Sequence, residues 1–149
     1  MTKPVTTVEA IATSCIAGRL RLLNRVVTNL YDDALRPLGV RLSQGNVLAV
    51  TAKLGVARPA QVCEFLEMDT STLSRTVDRM VANGWLEIVP DDDGRSQPFR
   101  LTTAGRRLME RLLPAWEQAQ AEARKLLGDD GLRLLDAAIG RVKSAPAGA

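Results

Sequence analysis

A mainly α fold with one small β-hairpin follows from three features of the 149-residue chain. Long stretches space their apolar residues three and four apart. Two helix-like segments meet at a tight break near Glu67–Asp69, and the period switches to two after Gly84. At 46% hydrophobic the chain can bury one core, so residues 1–149 are most simply one domain.

The first helix is expected over 8–35. Its apolar residues (Ile11, Cys15, Ile16, Leu20, Leu22, Leu23, Val26, Val27, Leu30, Ala34) cover an arc too wide for one neighbour. Such a helix is buried on two sides, the second side against another copy of the chain. Pro37 and Gly39 stop it. Ser43 then caps a second helix, with Leu42 and Val47 as a hydrophobic staple. Val47, Val50, Thr51 and Leu54 are expected to face inward, and Gly55 ends the helix.

Pro59 opens a third helix where its missing N–H costs nothing, with Val62, Phe65 and Leu66 on the buried face. Asp69 or Thr70 caps the fourth, whose stripe is Leu73, Val77, Met80 and Val81 and which closes at Asn83-Gly84. Beyond it, Leu86 and Ile88, then Phe99 and Leu101, alternate with outward neighbours as two strands around the tip PDDDGRSQ. Thr102-Thr103 start a fifth helix reaching Leu127, which Pro114 kinks or divides. Gly128-Asp129-Asp130 precede a last helix whose Leu132, Leu135, Ile139 and Val142 recur at three- and four-residue intervals. The order is a winged helix-turn-helix over 36–104 between terminal helices at 8–35 and 105–143.

The fourth helix carries the functional signal. Its polar faces hold Ser71, Thr72, Ser74, Arg75, Thr76 and Arg79, short hydrogen-bonders beside guanidiniums. That set suits phosphates and base edges in a DNA major groove. Ser71, Thr72, Ser74 and Arg75 fall at the helix end that such motifs aim at bases, where backbone N–H groups also favour phosphate. Arg79, one turn on, suits the phosphate backbone. The plain alternative is a solvated polar face.

At the hairpin tip, Arg95 is placed to enter a minor groove, where narrow A·T-rich stretches concentrate negative potential. Three aspartates beside it fit DNA only if Asp93 pairs with Arg95 or another arginine while Asp91 and Asp92 point to solvent. A calcium loop fails, because the twelfth residue counted from Asp91 is Thr102. Sixteen of the twenty basic residues are arginine, whose planar fork suits bidentate phosphate or guanine contacts. A GC-rich genome would favour arginine equally, and the net charge of +3 permits nucleic acid without requiring it.

The segments DTSTLSRTVDRMVANGWLEI and DDDGRSQPFRLTTAG, in this order of elements, resemble the MarR family of bacterial transcription regulators over nearly the whole chain. That family's wing pattern matches Asp93, Arg95, Leu101, Thr102 and Gly105. The resemblance implies a homodimer knitted by the helices at 8–35 and 105–143, binding an inverted-repeat operator in double-stranded DNA. It implies a repressor released by a small, often phenolic, ligand held by the first, second and fifth helices. An aromatic carboxylate would want an arginine, and Arg19, Arg21, Arg25 and Arg41 are all candidates.

Some family members sense hydroperoxides through a cysteine in the first helix. Cys15 falls about two residues early for that role, on an apolar stripe, and is read as a buried core cysteine; Cys63 is read as packing. A thiol-based redox sensor through Cys15 is kept as an alternative, as is a winged-helix dimer serving protein contacts. The dimerising part of a larger enzyme is a third, and would need a catalytic domain after Ala149.

Catalysis lacks its residues. There is no histidine, hence no imidazole base or His-containing zinc site, and two isolated cysteines make no all-thiolate site. Neither GxxxxGK[ST] nor GxGxxG occurs, so no cofactor is expected. No run of 18 apolar residues and no secretory signal pattern is present, and two cysteines are too few for a disulfide scaffold. The reading is a cytoplasmic non-enzyme without a membrane partner.

Overall fold

A computed structural model describes residues 7–92 and 94–145. Its helices are α1 (Thr7–Ser14), α2 (Ile16–Leu35), α3 (Leu42–Leu54), α4 (Pro59–Leu66), α5 (Thr70–Ala82) and α6 (Thr103–Ser144). Its strands are β1 (Val56–Ala57), β2 (Leu86–Ile88) and β3 (Phe99–Leu101). None of these helices is long and apolar enough to cross a membrane.

The single N-terminal helix expected over 8–35 is two helices. Cys15 has extended backbone (φ −60°, ψ 119°) between α1 and α2. Thr13, Ser14 and Cys15 are weak helix formers, and the Thr13 hydroxyl donates to the Glu9 carbonyl at 2.7 Å. Cys15 is exposed rather than buried. So are Ile11, Ile16, Leu20 and Leu22, while α2 buries Tyr31 and Leu35 near its far end.

Ser43 lies inside α3 and does not cap it. Arg41 is the N-cap residue; its N–H donates to Gln44 Oε1 at 3.0 Å, and the Leu42 N–H donates to Asp32 Oδ1 at 2.7 Å. A carboxylate from α2 therefore satisfies an end of α3 that local sequence leaves open. Val47, Leu48, Val50 and Thr51 are buried, but Leu54 is exposed.

Gly55, at φ 75°, ends α3 and turns the chain into β1, a strand the sequence reading lacks. Val56 pairs with Arg100 and Ala57 with Phe99; Leu86 pairs with Leu101, Glu87 with Arg100 and Ile88 with Phe99. The sheet is thus three-stranded and antiparallel in the order β1-β3-β2. Two residues are too few for alternation to mark a strand.

Helix α4 starts at Pro59, and the turn after it places Glu67 at φ 50° before Asp69 caps α5. Val62 and Leu66 pack inward, whereas Phe65 is exposed with Lys53 Nζ 5.1 Å from its ring centroid. Cys63 packs against the core as expected. Helix α6 continues through Pro114, and its non-helical residue is Gly128 (φ 67°, ψ 167°), where the break before the last segment was expected.

Leu35, Val47, Leu48, Val62, Leu73, Met80, Leu86 and Phe99 form one closed core beneath α3, α4, α5 and the sheet. Each such side chain contributes about 1.5–3 kcal/mol on burial. A second, smaller cluster joins α2 to α6 through Tyr31, Ala119 and Ala123. There the Tyr31 hydroxyl donates to Gln120 Oε1. Burial raises the Tyr31 pKa, with Arg124 opposing it.

Candidate nucleic-acid interface

Helix α5 owes its placement to its buried stripe, Leu73, Val77 and Met80, with Val81 packed alongside. That stripe turns Ser71, Thr72, Ser74, Arg75 and Arg79 to solvent. The N-cap organises the first turn. Asp69 Oδ1 accepts from the Thr72 N–H (2.8 Å) and the Ser71 hydroxyl (2.6 Å), and Oδ2 accepts from the Thr72 hydroxyl (2.6 Å). Hydrogen bonds from the Ser71 and Thr72 side chains, then from the Thr72 backbone, hold the Asp69 carboxyl well below the usual range. Both hydroxyls thereby spend their protons on Asp69 and are left as acceptors.

Arg75 is steered by the same turn. Its Nε donates to the Ser71 carbonyl at 3.3 Å and its Nη2 to the Ser71 hydroxyl at 3.5 Å, which lays the guanidinium back toward the helix start. Arg79 is exposed one turn further along. The chemistry of this face is donors and acceptors on a stiff rod, with two cations.

The wing meets α5 across a cleft of about 390 Å³ lined by Pro59, Thr70, Ser74, Asp78, Arg95 and Gln97, among others. Arg95 and Ser74, two of the sequence candidates, therefore share one concavity. Asp93, for which a pairing with Arg95 or another arginine is expected, lies outside the described residues. Asp91 does not point to solvent. It accepts from Arg58 Nη1 at 2.8 Å, and its side chain is only 16% exposed. Asp92 is exposed.

Arg58 is the residue that sequence reasoning missed. It precedes α4 as an ordinary pre-proline residue, and no local pattern ties it to a hairpin 33 positions away.

The far end of the wing is anchored by Thr102. Its N–H donates to the Trp85 carbonyl (3.1 Å), its hydroxyl donates to the Gly84 carbonyl (2.6 Å), and Thr102 Oγ1 accepts from the Gly105 N–H (3.0 Å). A Cβ on Gly105 would stand 2.1 Å from the Trp85 carbonyl oxygen. Hence the spacing of Leu101, Thr102 and Gly105: Leu101 fills the core, Thr102 caps α6, and Gly105 lets the helix touch the strand.

A separate cavity of about 230 Å³ lies between α2, α3 and α6, lined by Leu35, Leu42, Asn46, Met109, Leu112 and Trp116, among others. These are the helices from which ligand-holding residues were expected. None of Arg19, Arg21, Arg25 and Arg41 lines it. Among the described residues no group of three His, Cys, Asp or Glu side chains could hold a metal ion.

The sequence profile of the MarR family matches residues 38–96. The multiple antibiotic resistance protein MarR of Escherichia coli K12 is 32% identical over 95 residues, 62% of this chain and 66% of that protein, just under two thirds of its length. The structure of a mutant E. coli MarR complexed with operator DNA superimposes with a TM-score of 0.79 at 24% identity, covering 89% of this chain and 96% of that one. The M. tuberculosis transcriptional regulator MOSR in complex with DNA gives 0.77 at 27% identity, covering 90% and 99%.

Proposed function

Because the chain belongs to the MarR family of winged helix-turn-helix regulators, we propose that it is a homodimeric transcriptional regulator that binds double-stranded DNA sequence-specifically. It acts as a repressor on a palindromic operator and is released by a small ligand. The observation that carries this reading is the shared cleft: Ser74 on α5 and Arg95 on the wing face one concavity beside the ordered first turn of α5. Ser71, Thr72, Ser74 and Arg75 read base edges in the major groove, Arg79 contacts phosphate, and Arg95 enters the adjoining minor groove with Asp93 beside it.

In the dimer, two copies of α5 stand about 34 Å apart, one duplex turn. The helices at 8–35 and 105–143 set that distance. A ligand in the apolar cavity between α2, α3 and α6 shifts it, acting through its differential affinity for the two arrangements. The uncharged lining favours a neutral aromatic compound over an aromatic carboxylate.

The test is a titration of duplex from the gene's own upstream region. If the charges of Arg75, Arg79 and Arg95 of both protomers displace counterions from the duplex, whether at phosphate or in a groove, the six cations give a log–log salt slope of about −5. Equal affinity for random duplex would remove the reading.

One observation favours a second reading, a thiol sensor: Cys15 is exposed. Peroxide should then release the operator from the native chain but not from Cys15→Ser. Equal release, or none, removes that alternative.

A further inference from the structure

We propose that Arg58 is a positioning residue for the wing: it clamps the hairpin tip to the start of α4 and so sets the aim of Arg95. This rests on the DNA-binding reading above, and assigns to Arg58 a role in it.

The backbone of Arg58 is fixed on both sides. Ala57 before it pairs with Phe99 in the sheet, and Pro59 after it opens α4. Its own N–H donates to Gln61 Oε1 at 3.1 Å. From that stiff base the guanidinium reaches the tip, where Nη1 donates to Asp91 Oδ2 at 2.8 Å and to Ser96 Oγ at 2.9 Å. Ser96 Oγ in turn donates to Asp91 Oδ2 at 3.3 Å. Three groups thus form a closed triangle.

The triangle's two tip members stand on opposite limbs of the loop and bracket Arg95, which is adjacent to Ser96. The ladder itself ends early, with the Val89 N–H donating to the Pro98 carbonyl at 2.7 Å. Within the loop, the Gly94 N–H reaches the Asp91 carbonyl at a long 3.4 Å. A glycine-containing loop without a tie to the rest of the fold would sample many directions, and ordering it only on binding would weaken affinity. Clamping it in the free protein removes that cost. The partial burial of Asp91 (16% exposed, against 52% for Arg58) screens the pair less than a surface pair.

Electrostatics and positioning predict opposite signs for one substitution. Asp91→Asn deletes a negative charge near DNA, so charge alone would tighten binding. Loss of the clamp would weaken it. On the upstream duplex, Asp91→Asn in the full chain is expected to bind about tenfold more weakly, about 1.4 kcal/mol. Its salt slope should fall to that of Arg95→Ala. In the Asp91→Asn background, Arg95→Ala should then add less than about twofold, since the two act through one contact.

Tighter or unchanged binding by Asp91→Asn, or a full additional effect of Arg95→Ala, overturns the proposal. Hydrogen exchange across residues 90–97 without DNA separates this from the underlying reading. Faster exchange in both Arg58→Ala and Asp91→Asn supports the clamp even if the native chain shows no operator preference, and unchanged exchange overturns it.

Discussion

Within the winged lobe, Val47, Leu48, Val62, Phe99 and Leu86 are at most 2% exposed, and the wing, α4 and α6 are tied by Arg58 and Thr102. At the chain ends the same kinds of side chain lie open: Ile11 at 65%, Leu134 at 70% and Val142 at 72% exposed. One region completes its core and its hydrogen bonds alone; the other presents apolar helix faces. Apolar faces of this extent mark a contact surface rather than a packing fault. On the proposed function, recognition chemistry sits on the self-sufficient part, and the spacing between two copies is delegated to the open part.

The largest expected effect comes from closing off the open region. Leu134→Glu with Val142→Glu places four charges in the proposed dimer interface and removes four aliphatic side chains from it, an expected loss of about 6 kcal/mol or more in association. Sedimentation at micromolar concentration should show single chains with an intact lobe, and an unaltered dimer would contradict the delegation of spacing to these helices.

Gly105→Ala strikes the closed region instead. The added carbon meets the Trp85 carbonyl at 2.1 Å, backbone that cannot yield. A cost of about 3 kcal/mol and a Tm lowered by about 10 °C are expected in thermal melts; a native Tm would show that α6 tolerates a larger separation from the wing.

Arg95→Ala should leave melting and dimerisation untouched while weakening operator binding by about tenfold, roughly the 1–3 kcal/mol of a good groove contact. Unchanged affinity would take the wing out of recognition.

The smallest effect is set by pH. The Asp69 carboxyl is held low by its hydrogen bonds to Ser71 and Thr72, so the folded state binds fewer protons than the unfolded one. Its contribution is full above the unfolded value of about 3.9 and declines as pH falls below it. Asp69→Ala should flatten that acid-side decline and lower the Tm by a few degrees at neutral pH. An unchanged acid profile would mean that the cap adds nothing to α5.

The sequence displayed the lobe more readily than the ends. Helix α5 was legible because Leu73, Val77 and Met80 recur at helical spacing between an aspartate cap and Asn83-Gly84. The hairpin was legible from its alternation and its turn-rich, charged tip. What escaped depends on distant partners. Asp32 caps α3 from α2, Arg58 meets Asp91 across 33 positions, and β1 exists only because β3 lies beside it. Cys15 misled because a stripe read as continuous is broken at that residue, where three poor helix formers adjoin. Of the candidate site, the exposed positions on α5 were readable from their neighbours' burial. The partner of Asp91 was not, since an aspartate at a turn looks solvated until its arginine is found.

The central claim is that two recognition helices are held one duplex turn apart by the chain ends. Inserting five base pairs between the two half-sites of the footprinted operator rotates one half-site to the opposite face of the duplex. Binding of the native chain should fall by about a hundredfold, toward its affinity for random duplex. Undiminished binding to the inserted duplex would contradict the account.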